Sequence, residues 1–260
     1  MIPKIIHYCW FGGGPKPKSV EKYIRSWKKY CSDYEIIEWN EDNFDISSSP
    51  LYVKQAYAAK KWAFVSDYAR LKVVFECGGI YFDTDVQVIK NIDILLQYDA
   101  FFGFENCGVI PRINLGLGFG AVKNHQLVKK LMSVYETVEF PNPNITKEII
   151  AAPKLLTDTF RDYGYIMNDT TQKQGNDIVF SSEYLCPKNF RNGITTITNN
   201  TLSIHHYDSS WYDKDTRVKQ KQKWKKYKLD RIRHFPNRLL IRLLGKNDYD
   251  SLKYKLRGKE

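Results

Sequence analysis

A chain of 260 residues with 43% apolar content can bury a full core, which excludes wholesale disorder. Its formal charge of +11 sits at one end: residues 214–260 hold 17 Lys+Arg against 5 Asp+Glu, while the other 213 residues hold 23 against 24. That excludes a basic groove on the body of the protein and leaves the tail only salt-sensitive, non-specific attraction to nucleic acid.

In chain order, Ile2 to Trp10 reads as an apolar strand closed by Phe11-Gly12-Gly13-Gly14-Pro15. Ser19 is placed to cap a helix over roughly 20–31, with Val20, Ile24 and Trp27 on one face. Tyr34 to Trp39 is a second strand. Pro50 opens a helical stretch to about Cys77, which Gly78-Gly79 ends. A strand over 80–88, a short helix near 91–97 and a strand over 100–104 follow. The Gly-rich stretch from Asn114 to Gly120 precedes a helix near 125–138. Beyond residue 140 the pattern loosens to helices near 146–163 and strands near 178–185 and 201–206. The alternation predicts an α/β domain with a largely parallel sheet over 1–213, followed by a basic helical extension over 214–260.

The start has no apolar segment of signal-peptide length, and no run is long enough to cross a bilayer. The five cysteines are scattered without a Cys-x-x-Cys pair, so reduced thiols and a cytoplasmic location are expected.

Tyr81-Phe82-Asp83-Thr84-Asp85 is the sharpest chemical signal. On a strand, residues i and i+2 share a side, so Asp83 and Asp85 would crowd two negative charges together. A divalent cation relieves that repulsion, and hard oxygen ligands suit Mn²⁺ or Mg²⁺. A lone Asp-x-Asp is also a common solvated loop, and it is the apolar strand around this one that points to a site. Asp67 and Arg70, three apart on a helix, make either a surface ion pair or a binding pair for a sugar hydroxyl and a phosphate. In Ser203-Ile204-His205-His206-Tyr207-Asp208-Ser209-Ser210-Trp211, His206 is the expected third metal ligand, with Ser209 as a hydroxyl ligand. The Trp211 indole N–H suits a phosphate oxygen. Trp10, at the end of the first strand, is either a base-stacking ring or a core Trp.

These segments together resemble glycosyltransferase family 32, the group with the DxD sugar-binding region. The resemblance rests on Ile2 to Gly12, Ala63-Phe64-Val65-Ser66-Asp67-Tyr68-Ala69-Arg70, Gly78 to Asp85, and a return at His205-His206 and Ser210-Trp211. It implies a GT-A-like, Rossmann-type nucleotide-sugar-binding fold and a retaining hexosyltransferase acting on a nucleotide diphosphate sugar, UDP-sugar favoured. Trp10 would stack on the base, Tyr81 pack on the nucleotide, and Asp67 and Arg70 hold the donor sugar. Asp83 would touch ribose or sugar, Asp85 would ligate the metal, and Ser209 or Ser210 with Trp211 would face the phosphates. Glu105 and Asn114 are expected acceptor or sugar contacts. The acceptor would be a saccharide or lipid-linked glycan in surface polysaccharide synthesis.

Cations interleaved with Trp224, Tyr227, Leu239, Leu240, Ile241, Leu243 and Leu244 suit an anionic bilayer, which predicts peripheral attachment to the inner face of the cell membrane. The rival readings are a nucleic-acid- or membrane-binding basic protein without activity, and a lectin-like module without catalysis.

Overall fold

The computed structural model describes residues 1–107, 110–140, 151–208, 212–233 and 245. In chain order its elements begin with β1 (Ile5–Cys9), α1 (Lys18–Tyr30), β2 (Glu35–Trp39), α2 (Leu51–Ala58), α3 (Trp62–Cys77), β3 (Gly79–Tyr81) and β4 (Val86–Val88). Next come β5 (Ala100–Glu105), β6 (Arg112–Ile113), β7 (Phe119–Ala121), α4 (Gln126–Thr137), α5 (Ala152–Leu155) and α6 (Thr157–Asp162). The last are β8 (Gln172–Gln174), β9 (Asp177–Phe180), α7 (Ser182–Leu185), β10 (Ser203–His205) and α8 (Lys214–Arg233). The expected short helix near 91–97 is a 3₁₀ turn over Asp93–Leu95.

The main sheet runs β2-β1-β3-β7-β5-β9-β8, with β6 attached to β5. β1 pairs parallel to β2 and β3, and β5 pairs parallel to β9. β7 is antiparallel to both β3 and β5, so β1, β2, β3, β5 and β9 all point the same way. The mostly parallel α/β sheet expected from the sequence is therefore present, with β7 reversed within it and β8 reversed at its edge. A separate two-stranded ribbon joins β4 to β10.

Alternate strand residues feed two cores, as a sheet covered on both faces requires. Phe102 and Phe104 of β5 pack with Val65 and Leu71 of α3 and Leu131 of α4. Phe101 of the same strand faces Trp27 of α1 and Leu185 of α7. Trp27 is fully buried, and its indole N–H donates to the Val86 carbonyl at 2.8 Å, which fixes α1 on the ribbon. Truncating such a ring costs about 3–5 kcal/mol.

Three local expectations are corrected. Helix α1 starts one residue before Ser19, after Pro17, and no side-chain cap is made. The stretch from Pro50 to Cys77 is two helices, because Lys60 turns left-handed at φ 54° and the Lys61 N–H returns to the Ala56 carbonyl at 2.9 Å. The strand expected over 80–88 is broken: β3 stops at Tyr81, and the Val86 N–H closes a turn on the Asp83 carbonyl at 3.0 Å. In the C-terminal part, α8 is anchored to the body by Trp224, which is 9% exposed and donates to the Phe190 carbonyl at 2.8 Å. The apolar tail residues from Leu239 to Leu244 lie outside the described residues.

Candidate metal centre and nucleotide-sugar site

The site lies where β1 and β3 end. Its placement starts with His7, a residue the sequence reading did not single out. Trp39 donates to His7 Nδ1 at 3.1 Å, so Nε2 carries the proton and donates to the Gly78 carbonyl at 2.8 Å. Burial keeps this imidazole below its ordinary pKa, as a neutral clamp requires. The clamp holds the Gly78-Gly79 link, where both φ values are positive, and so joins α3 to β3 in one fixed geometry.

Asp67 and Arg70 are brought to this point on α3, and both are buried. The Arg70 guanidinium meets Asp67 Oδ1 at 2.5 Å and Asp83 Oδ1 at 3.6 Å, and its Nε donates to the Ser66 carbonyl. The reading of a surface ion pair is thereby excluded. Burial pushes Asp67 up to about 6 against the pull of Arg70. Arg70 stays charged, since Asp83 and Asp67 raise it despite burial. Tyr81 is 1% exposed and lies under the guanidinium at 5.3 Å, so it supports the site from below and offers no face to a nucleotide. Trp10 sits at the predicted strand end and is partly exposed; its indole N–H is held by the Gly14 carbonyl at 2.7 Å.

Asp83 and Asp85 do converge, through the turn that breaks the strand. Asp83, Asp85 and His205 offer ligand atoms that all lie within 4.8 Å of one another. Here the structure corrects the sequence reading: His205 completes the cluster, and His206 does not. Neighbouring strand residues point to opposite sides. His205 Nε2 meets Asp85 Oδ1 at 3.1 Å, whereas His206 stacks on Tyr23 at 4.6 Å and bonds Gln87 at 3.0 Å. The Asp208 N–H takes the other Asp85 oxygen at 2.8 Å.

Burial, opposed by Arg70 and reinforced by Asp85, raises Asp83 above the ordinary carboxylate range. Burial works to raise Asp85, but His205, the Asp208 N–H and His206 together bring it below that range, and Asp85 in turn lifts His205 well above an ordinary imidazole despite burial. Three carboxylates thus face one guanidinium and one imidazolium. A divalent cation replacing the His205 proton would bring that set to neutrality, and two carboxylates with one imidazole suit Mn²⁺ and, less well, Mg²⁺.

The Gly-rich stretch supplies a cradle that the sequence reading missed. The Asp83 N–H donates to the Gly116 carbonyl at 3.3 Å, and a Cβ on Gly116 would meet Asp83 Oδ2 at 2.2 Å. Asn114 caps this turn by accepting from the Gly116 N–H at 2.8 Å. It also bonds Glu105, whose carboxyl burial raises while the His205 charge opposes that shift. Both expected acceptor contacts therefore border the centre. Ser209, Ser210 and Trp211 lie outside the described residues.

Residues 17–102 match the family model described as a glycosyltransferase sugar-binding region containing a DXD motif. That span includes Asp67, Arg70, Asp83 and Asp85, and leaves out Trp10 and His205. An uncharacterized glycosyltransferase of Acanthamoeba polyphaga mimivirus is 27% identical over 202 residues, covering 74% of this chain and 76% of that protein. Inositol phosphoceramide mannosyltransferase 3 of Schizosaccharomyces pombe is 27% identical over 147 residues, covering 54% of this chain and 40% of its own length. Among solved structures, the PaToxG glycosyltransferase gives a TM-score of 0.47 at 18% identity over 62% of this chain and 69% of that one. A glycosyltransferase involved in glycosylation of the major capsid of PBCV-1 gives 0.44 at 15% identity over 86% and 100%. The sequence matches and the aspartates within them carry the likeness: over residues 17–102 the chain is similar to the glycosyltransferase sugar-binding region containing a DXD motif, and beyond that span to glycosyltransferases.

Proposed function

We propose that the protein transfers a hexose from a nucleotide diphosphate sugar, UDP-sugar favoured, to a saccharide or lipid-linked glycan acceptor, with retention of anomeric configuration. The observation that carries this reading is the convergence of Asp83, Asp85 and His205 within 4.8 Å beside the buried Asp67–Arg70 pair. Those three residues would hold Mn²⁺ or Mg²⁺, which when bound supplies positive charge to the departing diphosphate. Arg70, fixed by Asp67 and Asp83, orients a donor hydroxyl or phosphate oxygen. Trp10, at the end of β1, offers a ring to the base. Glu105 and Asn114 border the place where the acceptor hydroxyl approaches. In the transfer step the acceptor oxygen bonds to the anomeric carbon as the bond to the β-phosphate breaks. The leaving phosphate takes the electron pair and then the acceptor proton, so no protein nucleophile is required.

The membrane reading rests on α8, where Val218, Leu229 and Ile232 are exposed among lysines. It supports peripheral work at an anionic cytoplasmic membrane face, as surface polysaccharide synthesis from a lipid-linked acceptor would need.

A donor-hydrolysis screen tests the assignment. Full-length protein with Mn²⁺ is offered UDP-Glc, UDP-Gal, UDP-GlcNAc and GDP-Man, and free sugar is measured. One UDP-sugar is expected to turn over, with the α-anomer released first. Turnover of GDP-Man alone would replace the UDP assignment, and release of the β-anomer first would refute retention. No turnover of any donor, with the fold intact, would sink the catalytic reading.

A further inference from the structure

The far side of His206 carries a feature that neither the metal centre nor the sugar site uses. Between α1, β10 and α8 lies a cleft of about 340 Å³. Among the described residues, four lysines line it, Lys188, Lys221, Lys225 and Lys228, against a single carboxylate, Asp208. Lys221, Lys225 and Lys228 follow the i, i+4, i+7 spacing that puts side chains on one helix face. They converge because Trp224 docks the helix there, with its ring 4.1 Å from Lys188 Nζ. The stacked Tyr23 and His206 rings line one side of it. Lys188 is directed by a bond to the His206 carbonyl, and burial brings its pKa down to about 8.

Like charges held together across a small cleft raise one another's energy, and a multivalent anion lowers it. A carboxylate would leave the set strongly positive; a phosphomonoester or pyrophosphate brings two or more charges and several acceptor oxygens to ammonium donors. The cleft also adjoins the metal centre through the backbone of Asp208, whose N–H binds Asp85.

We infer that the cleft formed by Lys188, Lys221, Lys225 and Lys228 beside His206 is a second anion site, which binds the phosphate group of a ligand independently of the divalent metal. Its phosphate comes either from a lipid headgroup or from a soluble phosphate ester.

The test is a titration of the full-length protein with inorganic pyrophosphate in EDTA, followed by calorimetry. Saturable binding is expected, weakened by about tenfold or more when Lys221→Ala, Lys225→Ala and Lys228→Ala are combined. The charge-matched control combines Lys219→Ala, Lys223→Ala and Lys226→Ala, the same spacing on the other face of α8, and is expected to shift binding by less than about twofold. Asp83→Asn should leave this binding intact, which separates the result from the fate of the metal centre. Equal weakening in both triple variants, loss in Asp83→Asn, or no binding by the unmodified protein would overturn the site. Co-sedimentation with phosphatidylcholine vesicles, with and without phosphatidic acid, identifies the source. If pyrophosphate releases the protein from the acidic vesicles and the cleft triple variant fails to bind them, the phosphate is lipid-borne. If vesicle binding is unchanged in that variant, the phosphate is soluble.

Discussion

Among the described residues the sheet carries a carboxylate–imidazole pair at each end, and one of the two belongs to a cluster that could hold a metal ion. At the N-terminal start of β9, Asp177 meets His125 at 2.9 Å; beyond the C-terminal end of β3, Asp85 meets His205 at 3.1 Å. Side-chain exposures are alike, 5% and 9% in the first pair and 13% and 9% in the second, so burial does not separate them. The neighbours do. The second Asp177 oxygen accepts from the Tyr163 hydroxyl at 3.0 Å, a neutral partner that completes the carboxylate. Asp85 instead has Asp83 beside it, and Asp83 shares Arg70 with Asp67. In the first pair both Asp177 oxygens have partners and the contact ties α4 to the sheet, although His125 Nδ1 is left without one; the second leaves like charges crowded together, which a cation resolves.

The largest expected effect breaks that comparison directly. Asp85→Asn should lower sugar transfer by about a thousandfold while the circular dichroism spectrum is kept, because a neutral amide holds a divalent ion poorly. Asp177→Asn should leave the transfer rate within about threefold and lower Tm by about 5 °C, the scale of one weakened buried hydrogen bond. Equal loss of activity in the two variants would mean that the ends of the sheet do not differ as argued. Gly116→Ala ranks next. The methyl group would occupy the place of Asp83 Oδ2, so transfer should fall by about tenfold to a hundredfold through misplacement of one ligand. Gly120→Ala, whose Cβ would crowd Phe101 and the Gly79 carbonyl in the sheet, should instead act mainly on Tm. A Gly116→Ala variant with full activity would remove the cradle from the account.

Much of this contrast is legible in the sequence, and the rest is hidden for definite reasons. Strand and helix alternation announces the α/β sheet, and Asp83-Thr84-Asp85 announces the centre. The reversed strand β7 is not visible, because Phe119-Gly120-Ala121 reads as the end of a glycine-rich loop. The break between α2 and α3 lacks a glycine or proline to mark it, since Lys60 takes the left-handed conformation itself. The choice between His205 and His206 depends on which side of β10 faces the aspartates. That side is set by the pairing of His205 with Val86 across the ribbon, a contact between residues far apart in the chain. Tyr81 belongs to the motif, yet Arg70 covers it, and no local pattern reports that.

The smallest effect sharpens the comparison through protons. His205 sits well above its ordinary pKa in the folded chain, so its proton stabilises the fold fully below the unfolded value of about 6.5, and that contribution is lost as pH rises through the folded value. Asp85 is shifted the other way, so its contribution is present above the ordinary carboxylate value and is lost as pH falls through its lowered one. The ion pair is therefore complete near neutrality and is lost on the acid side through Asp85 and on the alkaline side through His205. A divalent ion needs the imidazole without its proton, so metal and proton compete for the same nitrogen. Mn²⁺ should accordingly raise Tm by several degrees, more at about pH 8 than at about pH 6, with a proton released on binding. The His125–Asp177 pair belongs to no three-ligand cluster among the described residues, so Asp177→Asn should keep the Mn²⁺ shift and Asp85→Asn should lose it. A shift equal at both pH values, or one that survives Asp85→Asn, would place the ion somewhere other than the Asp83–Asp85–His205 cluster.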